Sequence, residues 1–190
     1  IRELKMIEIG QQKNVSSPSV ISSRRDIFCI SDTHFQHYNM IHKFKTRPFS
    51  TVEEMDEALM DNWNSVVKPG DKVYHLGDVT FGSKENYIKN IHNRLHGKKR
   101  PIVGNHDDVK FLAPYFEKVM LWRMFRDLGL LLTHVPVHRS TLGEGRFDGK
   151  GMINVHGHSH SNPSPEGPYK CVCVEQPHMN YTPINIEEIK

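Results

Sequence analysis

Short runs of apolar residues alternate with polar loops along the chain from Asp26 onward. Runs rich in Ile, Val, Leu and aromatic residues predict strands, and each run ends before a loop that carries aspartate, asparagine, glycine or histidine. The predicted strands cover residues 27–30, 73–76, 101–103, 130–132 and 153–155. Polar side chains at successive strand ends suggest strands that lead into one common site.

Segments whose apolar residues recur at helical spacing lie between some of these strands. The clearest helix is predicted from Thr51, because Thr51 and Glu54 match the capping-box pattern at a helix start. Apolar residues at helical spacing then predict a stripe that faces the core, namely Met55, Leu59, Trp63 and Val66.

A second helix is predicted after Ser83, ending at Gly97, because glycine suits the left-handed position that follows a helix. Its buried face is expected to hold Ile88, Ile91 and Leu95, with His92 and His96 on the solvent side.

The alternation of strands and helices predicts an α/β fold. A further strand is predicted over residues 169–175, and the last third of the chain, with more strand than helix, predicts a mixed sheet. The 190 residues fit one domain. We expect residues 26–190 to form a single catalytic domain and the polar residues 1–25 to be a tail or edge segment.

Composition narrows the class of protein. Apolar residues make up 37% and charged residues 25%, which is typical of a globular chain. The formal net charge of +3 is too small to indicate a dedicated nucleic-acid surface, and the tight basic run at residues 98–100 is interpreted as a solvated turn between helix and strand. No apolar run approaches the length of a membrane span, so a cytoplasmic protein without a membrane partner is expected.

The cysteines are interpreted as buried free thiols. Cys29, Cys171 and Cys173 are an odd set without the spacing of a secreted disulfide scaffold. A cysteine metal site would need more partners at suitable spacing.

The histidines, 13 in all, concentrate at the strand ends. Single motifs are weak, because an aspartate and a histidine two residues apart, or a Gly-Asp pair, also occur in ordinary turns. The specific signal is the ordered set Asp32-Thr33-His34, Gly77-Asp78, Gly104-Asn105-His106-Asp107, His134 and Gly157-His158-Ser159-His160.

In this order the motifs resemble the five-motif signature of the calcineurin-like metallophosphoesterases, over residues 30–160. The resemblance implies a two-sheet sandwich of mixed strands flanked by helices. It also implies two metal sites that share Asp78. The first would be formed by Asp32, His34, Asp78 and His160, and the second by Asp78, Asn105, His134 and His158.

Such a mixed set of nitrogen and oxygen ligands suits two divalent transition-metal ions, with Mn expected first and Fe, Ni, Co or Zn as alternatives to it. Two ions about 3.5–4 Å apart would acidify a shared hydroxide and clamp a phosphoryl oxygen. The family pattern leaves His106 outside the coordination, facing the substrate as a catalytic group, with Asp107 as its orienting partner.

The chain departs from the protein serine/threonine phosphatases of this superfamily. It lacks their aspartate-arginine pair in the second motif, and Asp107 stands where they have glutamate. It is more similar to the small bacterial and phage phosphoesterases, which also carry a histidine and an asparagine after the first motif, as His37 and Asn39 do here.

Four residues are expected as substrate contacts, each with a structural alternative: His37, Asn39, Arg47 and His138. Arg47 could instead anchor a loop. His75 is interpreted as a packed histidine, and His42 and His178 as surface residues.

The sequence therefore predicts a phosphoesterase that acts on a small phosphate ester or nucleotide, with diesters favoured over monoesters. A nuclease shares the same metal chemistry but needs a basic track with stacking aromatics. A catalytically silent metal-binding scaffold domain is the third hypothesis, and relatives of that kind usually lose candidate ligands. The natural substrate and the oligomeric state are left open.

Overall fold

The computed structural model describes residues 25–143 and 151–189. The predicted segment 1–25 lies outside the described residues, apart from Arg25. The strands in the described part are β1 (Ile27–Ile30), β2 (Lys72–His75), β3 (Lys98–Pro101), β4 (Trp122–Phe125), β5 (Leu130–Thr133), β6 (Ile153–His156), β7 (Tyr169–Cys171) and β8 (Ile184–Asn185). The α-helices are α1 (Tyr38–His42), α2 (Val52–Val66), α3 (Lys84–Tyr87) and α4 (Val109–Leu112).

The strands form two mixed four-stranded sheets. The first has the order β3-β2-β1-β8, with β1, β2 and β3 parallel and β8 antiparallel to β1. The second has the order β4-β5-β6-β7, with β5, β6 and β7 parallel and β4 antiparallel to β5. This arrangement confirms the predicted α/β two-sheet sandwich of mixed strands flanked by helices.

Backbone hydrogen bonds join the two sheets beyond the ends of β1 and β7. Ser31 N–H donates to Val172 O at 2.9 Å, and Val174 N–H donates to Ser31 O at 3.2 Å. Because the parallel strands of each sheet end at one edge, this junction brings the loops that follow the strands of both sheets together.

Helix α2 confirms the prediction from the capping-box pattern. Thr51 Oγ1 accepts a hydrogen bond from Glu54 N–H at 3.1 Å, and Glu54 Oε2 accepts one from Ser50 N–H at 2.7 Å. Met55, Leu59 and Trp63 are buried as predicted, and Val66 is partly buried against the same core. Burying this stripe fixes α2 on the sheet that carries the first two motifs.

The second helix is shorter than predicted. The α-helix ends at Tyr87, and a wider π-helical turn continues from Ile88 to His92. The prediction for His92 was wrong: it is buried, with its ring 4.7 Å from that of Phe116, because the wider turn rotates it inward. His96 is exposed and Gly97 has a φ of 81°, as predicted.

Two strand predictions were wrong in position. The basic run at residues 98–100 was predicted as a turn, but it forms strand β3. From this strand, Lys99 Nζ donates a hydrogen bond to Leu95 O at 2.7 Å. The strand predicted over residues 169–175 ends at Cys171, because the chain then leaves the sheet and bridges Cys173 to Ser31. No helix among the described residues is long and apolar enough to cross a membrane.

The cysteines and three further histidines, His42, His75 and His178, lie where the sequence predicted. All three cysteines are buried free thiols. His75 is buried, and its Nε2 lies 2.8 Å from Thr33 Oγ1. His42 and His178 are exposed.

Candidate metal centre

The loops that carry the five motifs are hydrogen-bonded to one another. Asp32 N–H donates to Gly77 O at 3.0 Å, and His34 N–H donates to Asp78 O at 3.0 Å. Gly157 N–H donates to His134 O at 2.8 Å, which ties the fourth and fifth motifs together in the same way. The predicted convergence of the strand ends is therefore a property of the fold.

The backbone is left-handed at many of the candidate ligands. Asp32, His34, Asp78, His158 and His160 have φ values of 56°, 46°, 56°, 66° and 50°. Each such residue costs roughly 1–3 kcal/mol and persists only where the surroundings enforce it, typically at functional sites. At these five residues the backbone adopts an unfavourable conformation, and the direction of the side chains depends on that conformation.

Each of two buried carboxylates uses one oxygen for the backbone and presents the other to histidines. Asp32 Oδ2 accepts from His158 N–H at 2.9 Å, and Asp78 Oδ1 accepts from His106 N–H at 2.9 Å. The remaining oxygens, Asp32 Oδ1 and Asp78 Oδ2, face imidazole nitrogens. Carboxylates held in this way have a fixed oxygen available for a cation.

The first histidine group surrounds Asp32 Oδ1. His34 Nε2 lies 3.8 Å and His160 Nε2 3.6 Å from this oxygen. These distances are too long for hydrogen bonds but allow the atoms to reach one ion at about 2.0–2.2 Å. Asp32 Oδ1 and His34 Nε2 are buried without a hydrogen-bond partner, a rare and costly state that a bound cation would relieve.

The second group surrounds Asp78 Oδ2, which lies 3.6 Å from His34 Nε2 and 3.7 Å from His134 Nε2. Asp78 Oδ2 thus lies between a histidine of the first group and a histidine beyond it. Ligand atoms of Asp32, Asp78 and His134 all lie within 4.8 Å of one another, so Asp32 also reaches towards this side.

Asn105 lies next to the second group of candidate ligands. Its Oδ1 lies 2.8 Å from His134 Nε2 and 3.0 Å from His158 Nδ1. His134 Nδ1 lies 2.7 Å from Leu76 O, which can only accept a hydrogen bond. In the neutral ring, Nδ1 therefore carries the proton and Nε2 has a free lone pair. Two acceptors, His134 Nε2 and Asn105 Oδ1, then face each other, and a cation bound by both would remove that conflict.

Burial shifts the pKa of Asp32 in the direction that a bound metal would oppose, and it shifts the pKa of His34 in the direction that a bound metal would reinforce. It raises the pKa of Asp32, although His134 and His160 oppose this, and it lowers the pKa of His34 far below its usual range. Buried carboxylates without a counter-charge are unfavourable, whereas neutral imidazole is the ligand form of histidine. The residues present therefore fit one or more divalent cations.

Glycine is required where two motif loops approach these carboxylates. A Cβ at Gly104 would overlap Asp78 Oδ1 and the Asp78 nitrogen, and a Cβ at Gly157 would overlap Ser31 Oγ and Asp32 Oδ2. The glycines of the third and fifth motifs thus allow backbone to pack directly against the candidate ligands.

Glu175 joins the site without any sequence motif. Its Oε1 accepts from His160 Nδ1 at 3.0 Å and from Arg47 Nη2 at 2.7 Å. Burial alone would raise the pKa of Glu175, but the bonds and charges of His160 and Arg47 outweigh it and hold that pKa below its usual range. A carboxylate on the far nitrogen of a histidine fixes the tautomer that leaves Nε2 free.

Arg47 does not point at the cluster as a substrate contact. Its Nη1 donates to Thr33 O at 2.6 Å and its Nη2 to Asp32 O at 2.6 Å, and the side chain is buried. The left-handed turn at Asp32 leaves these carbonyls without ladder partners, and the guanidinium supplies them. The alternative prediction of a loop anchor is the one that the structure supports.

Asp107 was predicted to orient His106, and its carboxylate oxygens accept hydrogen bonds from backbone N–H groups of the second and third motif loops. Its Oδ2 accepts from Asp78 N–H at 2.9 Å and from Gly104 N–H at 2.8 Å, while its Oδ1 accepts from Val79 N–H at 2.9 Å. Both carboxylate oxygens therefore hold the second and third motif loops together. Asp107 acts on the site through the backbone of its neighbours.

His106 lies exposed at the edge of the cluster, with its ring centroid 5.9 Å from that of His34 and 5.1 Å from that of Phe81. His37 lies on the same side, stacked on Phe81 at 4.0 Å, and burial together with Arg47 lowers its pKa to about 4. His37 and His106 therefore lie beside His34, one of the candidate metal ligands.

The last two predicted substrate contacts are not brought to the cluster. Asn39 is exposed on α1, and His138 is exposed where its Nδ1 caps the turn Arg139–Leu142. Across residues 25–143 and 151–189, neither makes a hydrogen bond or ring contact with a candidate ligand.

Comparison with known proteins finds relatives that align with most of the chain. No family model matches it. The uncharacterized protein MJ1445 of Methanocaldococcus jannaschii is 38% identical over 173 residues, which cover 88% of this chain and 90% of that protein. The fold and the cluster define an α/β two-sheet protein with a candidate metal centre. The chain belongs to the same family as MJ1445.

Other relatives agree with this placement. The Gene 66 protein of Mycobacterium phage L5 is 34% identical over 161 residues, 69% of this chain and 75% of that protein. Among solved structures, a protein of unknown function, AQ665 from Aquifex aeolicus, aligns with a TM-score of 0.66 at 30% identity over 87% of this chain and 98% of that one. A novel archaeal phosphodiesterase aligns with a TM-score of 0.42 at 18% identity over 78% of this chain and 82% of that one, a likeness too weak to support a functional statement.

Proposed function

We propose that this chain is a phosphoesterase of the calcineurin-like metallophosphoesterase type, which hydrolyses phosphate esters with two divalent metal ions. The observation that carries the proposal is the position of Asp78 Oδ2, 3.6 Å from His34 Nε2 and 3.7 Å from His134 Nε2. One carboxylate oxygen between two imidazole nitrogens is the geometry expected of a ligand shared by two ions.

In the proposed assignment the ions share Asp78. Asp32, His34 and His160 complete the first site, and Asn105, His134 and His158 complete the second. The four imidazoles of the two sites favour a transition metal over Ca²⁺, with Mn²⁺ as the first candidate. When bound, such a pair supplies an acidified water nucleophile and neutralises charge on the phosphoryl group.

The chain's own residues then provide orientation and a proton. Glu175 and Leu76 O hold His160 and His134 in the tautomers that direct Nε2 into the cluster. Asp107 fixes the loops that carry Asp78 and Asn105. The exposed imidazole of His106, at the edge of the cluster, would donate a proton to the departing ester oxygen.

The basic run offers no support for a nuclease. Lys99 Nζ bonds to Leu95 O and Gly97 O, and Arg100 Nε donates to Glu117 at 2.5 Å. Lys98 lies 3.7 Å from the same Glu117. These cations are engaged within the protein, so a small phosphate ester, with a diester preferred to a monoester, remains the favoured substrate class.

Removal and return of metal tests the function. Protein stripped with chelator should fail to hydrolyse nitrophenyl phosphate diesters and monoesters. Addition of Mn²⁺, Fe²⁺, Co²⁺, Ni²⁺ or Zn²⁺ should restore turnover, whereas Ca²⁺ should not. Full activity in excess chelator would contradict the proposal, and so would metal binding without hydrolysis of any ester, which is the behaviour of a silent scaffold domain.

A further inference from the structure

A cavity of about 570 Å³ lies beside the second half of the cluster. Strands β4 and β5 form its floor, where Trp122 pairs with Thr133 and Met124 pairs with Leu131. Because side chains two residues apart point to the same face of a strand, these four side chains form one continuous patch. All four line the cavity.

The rim of the cavity is apolar and open to water. Leu121, Trp122 and Val135 are 73%, 58% and 46% exposed. Val103 and Val137 line the same space. Contiguous exposed apolar side chains beside a candidate active site are typical of a ligand-binding surface.

The lining offers little to a charged or strongly polar ligand. None of the twelve lining residues in the described part of the chain is an aspartate, glutamate, lysine or arginine. The hydroxyl of Thr133 donates to Val135 O at 2.6 Å and accepts from Asn154 Nδ2 at 2.9 Å, so it is already used within the protein. Recognition in this cavity therefore depends on apolar contact.

Two candidate metal ligands join the cavity to the cluster. Asn105 and His134 line the cavity, and their Oδ1 and Nε2 atoms also form the second side of the candidate metal centre. A group covalently attached to a phosphoryl group at the cluster could therefore extend directly into the cavity. This continuity distinguishes it from an unrelated surface groove.

We propose that the cavity is the subsite for an apolar alkyl or aryl group carried by the phosphate ester. The inference rests on the proposed phosphoesterase function and names its substrate class: esters of phosphate with an apolar alcohol. The volume falls in the range of cavities that enclose a drug-sized group. A nucleoside is disfavoured, since its base and sugar need several polar partners, whereas most of the described lining is apolar.

Inhibition by alkylphosphonates tests the subsite, because each molecule has one anionic head and one tail. Methyl-, butyl- and octylphosphonate are compared as inhibitors of methyl p-nitrophenyl phosphate hydrolysis by the metal-loaded protein. Each methylene that enters the cavity should lower the inhibition constant by up to about fourfold. Leu121→Asp should flatten this dependence, whereas Leu128→Asp, an exposed leucine outside the cavity, should keep it.

Fluorescence measures the same binding without catalysis. The chain has two tryptophans, of which Trp63 is buried and Trp122 lies at the cavity. Octylphosphonate should shift the emission to shorter wavelength, methylphosphonate should not, and Trp122→Phe should remove the shift.

The two measurements separate the inference from the function on which it rests. Inhibition constants independent of chain length, together with unchanged emission, would overturn the subsite while hydrolysis of the methyl ester still supports a phosphoesterase. Tighter binding of nucleoside monophosphates than of octylphosphonate would also overturn it. If no ester is hydrolysed with any metal, the proposed function fails, and the emission shift alone decides whether the cavity takes apolar groups.

Discussion

Glu175 Oε1 accepts a hydrogen bond from His160 Nδ1 at 3.0 Å, which leaves His160 Nε2 directed at Asp32 Oδ1, 3.6 Å away. Burial favours neutral imidazole, but the bond to Glu175 together with the charges of Glu175 and Asp32 outweighs it and raises the pKa of His160. Glu175 thereby fixes the ring of one candidate ligand while it also pairs with the buried Arg47.

Replacement of Glu175 should weaken metal binding without removing a ligand. Glu175→Gln is expected to lower affinity about 10–100-fold, the usual effect of losing a partner behind a metal-bound histidine. Titration of metal-free protein with Zn²⁺ against a competing chelator measures it. Glu57→Gln, at an exposed glutamate paired with Arg94, is the control and should leave affinity unchanged. Equal affinities for both variants would exclude the positioning role.

The bridging position of Asp78 predicts a larger metal loss than at Asp32. Asp78→Asn should leave less than one ion per chain, because both proposed sites lose a charged ligand. Asp32→Asn should retain more metal, and Asp61→Asn, on the exposed face of α2, should retain all of it. Elemental analysis after gel filtration gives the ratio. The same metal content in the Asp78 and Asp32 variants would remove the bridging assignment.

His106 is predicted to act in the chemistry and not in metal binding. His106→Asn should keep both ions and lower the rate on esters with poor leaving groups by about 10²–10⁴, the range for a positioned general acid. A nitrophenyl ester, whose leaving group departs without protonation, should be affected much less. His96→Asn, at an exposed histidine away from the motifs, is the matched control.

The results for His106→Asn would distinguish three roles of this residue. Similar losses on good and poor leaving groups would indicate a hydrogen bond to the phosphoryl oxygen instead of proton donation. Loss of an ion would make His106 a ligand, and unchanged rates on both substrates would exclude it from the reaction.

Gly104 should not tolerate a side chain, since a Cβ there would overlap the Asp78 carboxylate and backbone nitrogen. Gly104→Ala is expected to displace Asp78 and lower metal affinity at least about tenfold, with a loss of stability typical of overpacking, about 1–3 kcal/mol. Gly70→Ala is the control, because a Cβ there meets nothing within 4 Å. Metal titration measures the change in affinity, and urea unfolding measures the change in stability. Wild-type behaviour of Gly104→Ala would show that the loop can shift freely.

Several features of this protein were predictable because their causes are local. The capping box at Thr51 and the helical stripe from Met55 define α2, and short apolar runs define β1, β5 and β6 within a residue. The candidate ligands follow strand ends, and parallel strands end at one edge, so the convergence of the motifs also follows from sequence order.

Only the tertiary structure decided which polar side chains face the cluster. Arg47 and Asp107 have residue types suited to substrate and catalysis, yet both bind backbone groups in other loops, and Arg47 also pairs with Glu175. His92 was placed on the wrong face because a π-helical turn changes the helical period. Hydrogen-bond partners and local helix geometry of this kind leave no periodic signal.

The features that no sequence pattern indicated depend on contacts between distant segments. Glu175 meets Arg47 across 128 positions of sequence, so neither residue signals the other. The cavity exists because β4, which was not predicted, pairs with β5 and places Trp122 and Met124 beside Leu131. The sequence by itself determined the chemistry of the candidate metal centre, since that chemistry belongs to residue types at strand ends. The tertiary structure decided its supporting residues and its apolar neighbour, because burial and pairing are properties of the packed chain.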